Sequence, residues 1–233
     1  MTSNKPKISF IIPAYNCADT IIESIESIFN GNFEDGDEVI IINDASTDKT
    51  LQIINGLQKK YPVIKAVSHN INKGSAAAGR NTGIDSSKNY LIFCLDSDNI
   101  LAPGTVPVLK KYMLEQNADV ATFGELLFFK TDIEKITHKL TFKDNQIELK
   151  DALAGPNWPG PSGNYLFTKR SWLNAGRYTE SIGGAYDSWA FGVKQLATGS
   201  KMVTMKNSFY YHRAGHESAF TRDKDKIKAS LIA

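Results

Sequence analysis

Cysteine is scarce in this chain, with only Cys17 and Cys94 among 233 residues. Two thiols cannot build the disulfide framework of a small secreted domain, so packing alone must hold the core. Cys94 lies inside an apolar run where any small hydrophobe would serve, and Cys17 follows a turn. Both read as packed thiols of a reducing compartment, the cytoplasm. Long apolar runs are missing too. No stretch reaches the ~18 residues that a membrane-crossing helix needs, and "MTSNKPK" leads straight into the first strand-like segment without a secretory leader. Any membrane contact would be peripheral. Neither sign of charge dominates: 27 Lys and Arg against 25 Asp and Glu give a formal net charge of +2, which excludes the basic field expected of a nucleic-acid binder.

What is present is an ordinary globular composition, 42% hydrophobic and 22% charged, in a chain long enough for one substantial core. Its first hundred residues alternate strand and helix. "ISFIIPAYN" is a strand stopped by Pro13, and "ADTIIESIESIFNG" carries Ile21, Ile22, Ile25, Ile28 and Phe29 at helical spacing, with Asp19 or Thr20 as cap and Gly31 as stop. "DEVIIINDAS", "VIKAVSHN" and "YLIFCLDSD" are further strands, the first and last of them apolar enough to be buried. Between them lie the helices "STDKTLQIINGLQKKYP", with Ser46 or Thr47 as cap, and the Ala-rich "SAAAGRNTGIDSS". This alternation predicts an α/β fold with an open, mostly parallel, Rossmann-like sheet whose ligand lies beyond the carboxyl ends of the strands. The second half is less regular, with helices at "GTVPVLKKYMLEQ" and "YDSWAFGVKQLATG" and strands at "DVATFGELLFFK", "KITHKLTF" and "KMVTMKNSFYYHR". With no repeat or linker in sight, residues 1–233 read as a single continuous domain, with a regular half over 1–101, a less regular half over 102–216 and a charged tail over 217–233 containing "TRDKDKIKAS".

Several residues gather where the strands end. Asp96 and Asp98 close "YLIFCLDSDNIL", and alternation along an extended chain would point both carboxylates the same way. They are either a polar strand end with a turn cap or the ligands of a hard divalent cation completed by phosphate oxygens and water. An EF-hand loop is excluded, because its Gly and distal Glu are not in place. Asp44 ends the second strand and is placed to accept a hydrogen bond from a base N–H or a ribose hydroxyl. Arg80 is the one long cation of a small-residue helix: either a surface side chain, or a guanidinium aimed at a base or phosphate by close packing of that helix. Trp158, Tyr186 and Trp189 offer apolar faces against which the ring of a bound ligand would stack, although "GPNWPGPSGNYLF" is equally a stiff surface turn.

"ISFIIPAYN", "EVIIINDASTDKT", "NKGSAAAGRNTGI" and "YLIFCLDSDNIL", in that order and spacing, resemble the four signature segments of glycosyltransferase family 2, enzymes of the GT-A fold that use nucleotide-diphospho-sugars. The resemblance implies an inverting hexosyl transfer from a donor, commonly a UDP-sugar, to a saccharide, lipid-linked or other glycan acceptor in polysaccharide or glycoconjugate synthesis, assisted by Mn2+ or Mg2+. It implies that Pro13, Ala14, Tyr15 and Asn16 pack on the nucleotide and that Asp44 reads the base. Arg80 then lies near the nucleotide, Asp96 and Ser97 serve the ribose and donor side, and Asp98 holds the metal. It also implies a carboxylate base at Asp187, where Tyr186 replaces the usual neighbouring acid, and a late histidine, His212, at the metal or diphosphate. The nearby Arg213 and His216 would neutralise the leaving diphosphate. Two departures stand out: Asn43 and Ala45 in "NDAS" replace an acid and a Gly, and Gly79 stands where Ala is usual. A nucleotidyltransferase is a poorer reading, since "PAYNCADT" lacks a Gly-rich phosphate loop. A nucleotide-sugar-binding module without turnover is the remaining alternative.

Overall fold

The computed structural model describes residues 6–154, 158–181 and 186–215. The charged tail, His216, Gly155 and Pro156 lie outside the described residues. Four parallel strands come first: β1 (Ile8–Ala14), β2 (Glu38–Asn43), β3 (Ile64–Ser68) and β4 (Leu91–Cys94), linked by α1 (Ile21–Phe29), α2 (Thr50–Lys60) and α3 (Ala76–Asp85). Then follow β5 (Ile100–Leu101), α4 (Thr105–Glu115), β6 (Val120–Phe129), β7 (His138–Thr141), β8 (Asn145–Ile147) and α5 (Leu149–Leu153). After a 3-10 turn at Gly160–Ser162 come β9 (Leu166–Thr168), α6 (Lys169–Asn174), α7 (Asp187–Ala197) and β10 (Met202–Arg213).

All ten strands form one sheet in the order β3-β2-β1-β4-β9-β6-β10-β5, with β7 on β6 and β8 on β10. The β3-β2-β1-β4 part is parallel, whereas β9 runs antiparallel to both β4 and β6, and β10 returns parallel to β6. Helices cover both faces, so β1, β2 and β4 are buried at every residue, as their unbroken apolar runs require.

Pro13 does not stop β1. The Ile11 carbonyl accepts from Leu95 N–H at 3.0 Å, and alternation turns Pro13 toward the same side, beyond the end of β4, so its missing N–H costs no ladder bond. Capping of α2 differs from expectation as well. Its N-cap is Lys49, the Thr50 N–H is taken by Asp48 at 2.9 Å, and Ser46 and Thr47 instead bond Asn16. Helix α3 is capped by Ser75, whose hydroxyl accepts from Ala77 N–H at 3.1 Å. Its glycines set how near it lies to the sheet. A Cβ on Gly83 would come within 2.5 Å of Ile11 Cγ2 and 2.6 Å of Ile42 Cδ1, and one on Gly79 within 3.0 Å of Pro13 Cβ. At Gly83 only hydrogen permits that approach, which carries Arg80, one residue after the closely packed Gly79, into the interior.

Candidate functional site

The polar strand ends meet at one edge of the sheet. Pro13 and Ala14 are buried at the end of β1, while Tyr15 and Asn16 are exposed just beyond it. Asn16 has φ +47° and receives Thr47 N–H on its Oδ1 at 2.8 Å, lacing the loop after β1 to the loop after β2. Ala45 in that second loop has φ +55°, so the departure from Gly is borne by a strained alanine.

Asp44, which is buried, is held by groups that sequence reasoning did not single out. Lys73 N–H donates to both carboxylate oxygens at 3.0 and 3.1 Å, and His69 Nδ1 lies 2.6 Å from Oδ1. His69 Nε2 in turn lies 3.0 Å from Thr82 Oγ1 on α3. The signal for His69 was available, since it directly follows a strand parallel to β2 and so ends at the same edge.

Asp96 and Asp98 do not share a strand face. Strand β4 ends at Cys94, and residues 96–99 form a turn closed by Asn99 N–H on the Asp96 carbonyl at 3.2 Å, so strand alternation does not apply to them. The turn's carbonyls are tied down from two sides: Ser24 Oγ donates to Asp96 O at 3.1 Å, Thr20 Oγ1 to Ser97 O at 2.9 Å, and Arg213 Nε to Asp98 O at 3.0 Å. Asp98 is half-buried and near enough to act on Asp96 electrostatically.

The cation that relieves Asp96 is Arg80. Its Nη2 lies 2.6 Å from Asp96 Oδ1 and its Nη1 2.8 Å from Asp187 Oδ2, and its guanidinium carbon sits 5.4 Å from the centre of the Tyr178 ring. Arg80 is therefore buried and faces inward rather than snorkelling. Burial works against its charge, but Asp187 and Asp96 outweigh that and hold it firmly cationic. Burial lifts the Asp96 carboxyl above the usual carboxylate range, with Arg80 opposing and the like charge of Asp98 adding to the rise. The neighbouring Asn81 points elsewhere: it donates to Tyr178 O and Glu180 Oε1 and accepts from Trp172 Nε1 and Tyr178 N–H, fastening α3 to the second half of the chain.

Asp187 opens α7 and is 3% exposed. Besides Arg80 it accepts from the Ser188 N–H at 2.6 Å and Ser188 Oγ at 3.1 Å, both on Oδ1. Gly163, at φ +78°, lets the backbone approach this cluster: a Cβ there would lie 2.9 Å from Ser188 Oγ, 3.1 Å from Arg80 Nη2 and 3.4 Å from Asp96 Oδ2. His212 on β10 lies 3.3 Å from the Tyr210 hydroxyl through Nδ1 and packs on Phe128. Pairing of Tyr211 with Ile100 brings this end of β10 beside the 96–99 turn. Among the described residues, no three His, Cys, Asp or Glu side chains are grouped so as to hold a metal ion.

Of the aromatic trio, Trp158 is corrected by the structure. It is 3% exposed, and its ring is flanked so closely by Gly160 and Gly192 that an added Cβ on either would overlap it at 2.1 Å. It is a core residue with no face for a sugar. Tyr186 and Trp189 are half-buried and meet edge to face at 6.5 Å, with Trp189 Nε1 donating to Ala152 O.

The model of the family described as "Glycosyl transferase family 2" matches residues 9–176. The chain is 35% identical over 122 residues to a poly(ribitol-phosphate) beta-glucosyltransferase of Bacillus spizizenii, covering 52% of this chain and 19% of that protein. It is 29% identical over 212 residues to a GalNAc(5)-diNAcBac-PP-undecaprenol beta-1,3-glucosyltransferase of Campylobacter jejuni, covering 90% of this chain and 63% of that one. It thus spans less than two thirds of either relative. The crystal structure of S. aureus TarS 1-349 in complex with UDP-GlcNAc superposes with a TM-score of 0.75 at 19% identity, over 92% of this chain and 60% of that one, so the two share the GT-A fold. No helix among the described residues is long and apolar enough to cross a membrane.

Proposed function

The chain belongs to glycosyl transferase family 2, and on that basis we propose that it moves a sugar from a nucleoside-diphosphate donor, a UDP-sugar, to an acceptor hydroxyl with inversion. The acceptor is a growing glycan, saccharide or lipid-linked, in polysaccharide or glycoconjugate synthesis. The carrying observation is the convergence of Asp44, Arg80, Asp96 and Asp98 at the carboxyl ends of β2 and β4. Two comparisons add support: the UDP-GlcNAc in the TarS crystal, and the glycan-building names of the relatives.

The roles follow from the local chemistry. Tyr15 and Asn16 line the mouth where base and ribose would rest. Asp44, oriented by Lys73 N–H and His69, keeps one of its roughly four lone-pair positions, on Oδ2, for a base N–H or ribose hydroxyl. Asp96 and Ser97 would serve the ribose and donor sugar. The oxygen donors fit a hard divalent cation that draws most of its coordination from its substrate, because Asp98 is half-buried, close to Asp96, and not part of a closed ligand cage. Asp98, with His212, would hold Mn2+ or Mg2+, and the bound ion would supply positive charge against the diphosphate. Asp187 would take the acceptor proton as the new carbon–oxygen bond forms and the bond to the diphosphate breaks. Three of its roughly four lone-pair positions are occupied by Arg80 and Ser188, leaving one for that proton.

That same enclosure of Asp187 favours the second reading, a binding module without turnover. Calorimetry with a panel of nucleoside diphosphates, with and without Mn2+, tests the first step; absence of binding to every one overturns both readings. Release of sugar from the donor by wild type and Asp187→Asn then separates them. Measurable turnover that falls at least a hundredfold in the variant supports catalysis, whereas binding with no turnover in either protein leaves the module.

A further inference from the structure

Asn164 sits at the end of the turn that precedes β9 and is 1% exposed. Its amide is almost fully used. Oδ1 accepts the Asp96 N–H at 2.7 Å, and Nδ2 donates to Asp96 Oδ2 at 2.9 Å and to Ser162 O at 2.8 Å, with the Tyr210 hydroxyl 3.3 Å away. These partners fix which end of the amide is which, since an N–H needs the oxygen and a carboxylate with a carbonyl needs the NH2. Asp96 is thereby gripped at both its backbone and its side chain by one residue far away in sequence, while Arg80 takes the other carboxylate oxygen.

We propose that Asn164 is a positioning residue for the donor carboxylate: it fixes the rotamer of Asp96 so that Oδ1 and Oδ2 have assigned partners, and it joins that carboxylate to β10 through Tyr210. The proposal rests on the functional reading above. A buried Asn satisfied on both ends is costly to replace by anything that leaves Asp96 half-bonded, and this directional grip is not supplied by Arg80, which reaches only Oδ1. The hydrogen bonds continue from Tyr210 to His212 Nδ1, so the 96–99 turn and β10 are linked through Asn164.

Two variants separate grip from packing. Asn164→Asp keeps the shape and an acceptor for the Asp96 N–H but turns the Nδ2 contact into repulsion; Asn164→Leu keeps volume and loses both. Solvent exchange of the Asp96 amide, read by NMR, is expected to stay slow in Asn164→Asp and to speed up at least tenfold in Asn164→Leu. For donor turnover, KM is expected to rise at least tenfold in both, with kcat falling less. A merely structural residue would instead lower the amount of folded enzyme and leave KM unchanged. Folded variants with wild-type amide exchange and wild-type KM overturn the proposal. If wild type binds no nucleoside diphosphate, the functional reading fails, and unchanged amide exchange in Asn164→Leu would by itself still remove Asn164 from the positioning of Asp96.

Discussion

In the parallel part of the sheet, β1, β2 and β3 are each followed by a helix and then by a strand of the same direction, and repetition of this one unit brings even β1 and β4, from Ile8 opposite Leu91, side by side. In the mixed part, β4 meets β9 across more than seventy residues, and β10 closes onto β6, β8 and β5 together. The first part is organised by apolar periodicity and by how close a helix can lie; the second is organised by side chains that reach across. The functional cluster lies where the two meet, with Arg80 and Asp96 from one side and Asp187 and Asn164 from the other. Mutations can ask whether that seam is held mainly by charge, by packing or by the sheet.

The largest effect is expected from Arg80→Met. Removing the cation leaves Asp96 and Asp187 facing one another with no counter-charge, and breaking a buried ion pair from one side costs about 3–5 kcal/mol. Urea unfolding measures it; a loss below about 1 kcal/mol, the value of an exposed pair, would mean the seam is held by the sheet alone. Trp158→Ala is expected to cost a similar ~3–5 kcal/mol by leaving a cavity between Gly160 and Gly192. With folded protein in hand its acceptor KM should stay near wild type, and a selective rise in that KM would return Trp158 to the acceptor site.

A smaller effect contrasts two helical glycines of the parallel part. Gly83→Ala must displace α3 from Ile11 and Ile42 and is expected to cost about 1–3 kcal/mol. Gly56→Ala meets nothing within 4 Å and should stabilise by about 0.5–1 kcal/mol through helix propensity. Equal effects would show that helix stand-off is not what places Arg80. The smallest effect concerns pH. Burial tends to raise the Glu38 carboxyl, but bonds from Ser9, Lys88 N–H and Lys65 prevail and hold it below its usual value. A depressed folded-state pKa contributes stability above the unfolded value, about 4.3, and loses it as pH falls through the folded value. Denaturation midpoints should therefore drop on acidification below about pH 4.5, less steeply in Glu38→Gln.

The parallel part was legible because its information is local. Unbroken apolar runs mark buried strands, Ile at helical spacing marks α1, and the polar ends of β1, β2 and β4 gather at one edge because parallel strands end together. The short strands β5 and β8 and the helix α5 were not legible, since two to five residues carry no period. Nor was Asn164, whose identity as an asparagine before an apolar run says nothing of a partner 68 positions earlier. Asp96 and Asp98 misled through a rule applied past its range: alternation holds only while the chain stays extended, and it turns after Leu95. Trp158 misled because a tryptophan among glycines and prolines looks exposed, whereas the two glycines at its ring are what let it sink.

Arg80 is gripped by one anion from each part of the molecule, in a place water barely reaches. Whatever widens the cleft must first pull opposite charges apart there. Neither carboxylate can leave Arg80 without stranding a charge in the interior, so this one guanidinium ties the two parts of the molecule together.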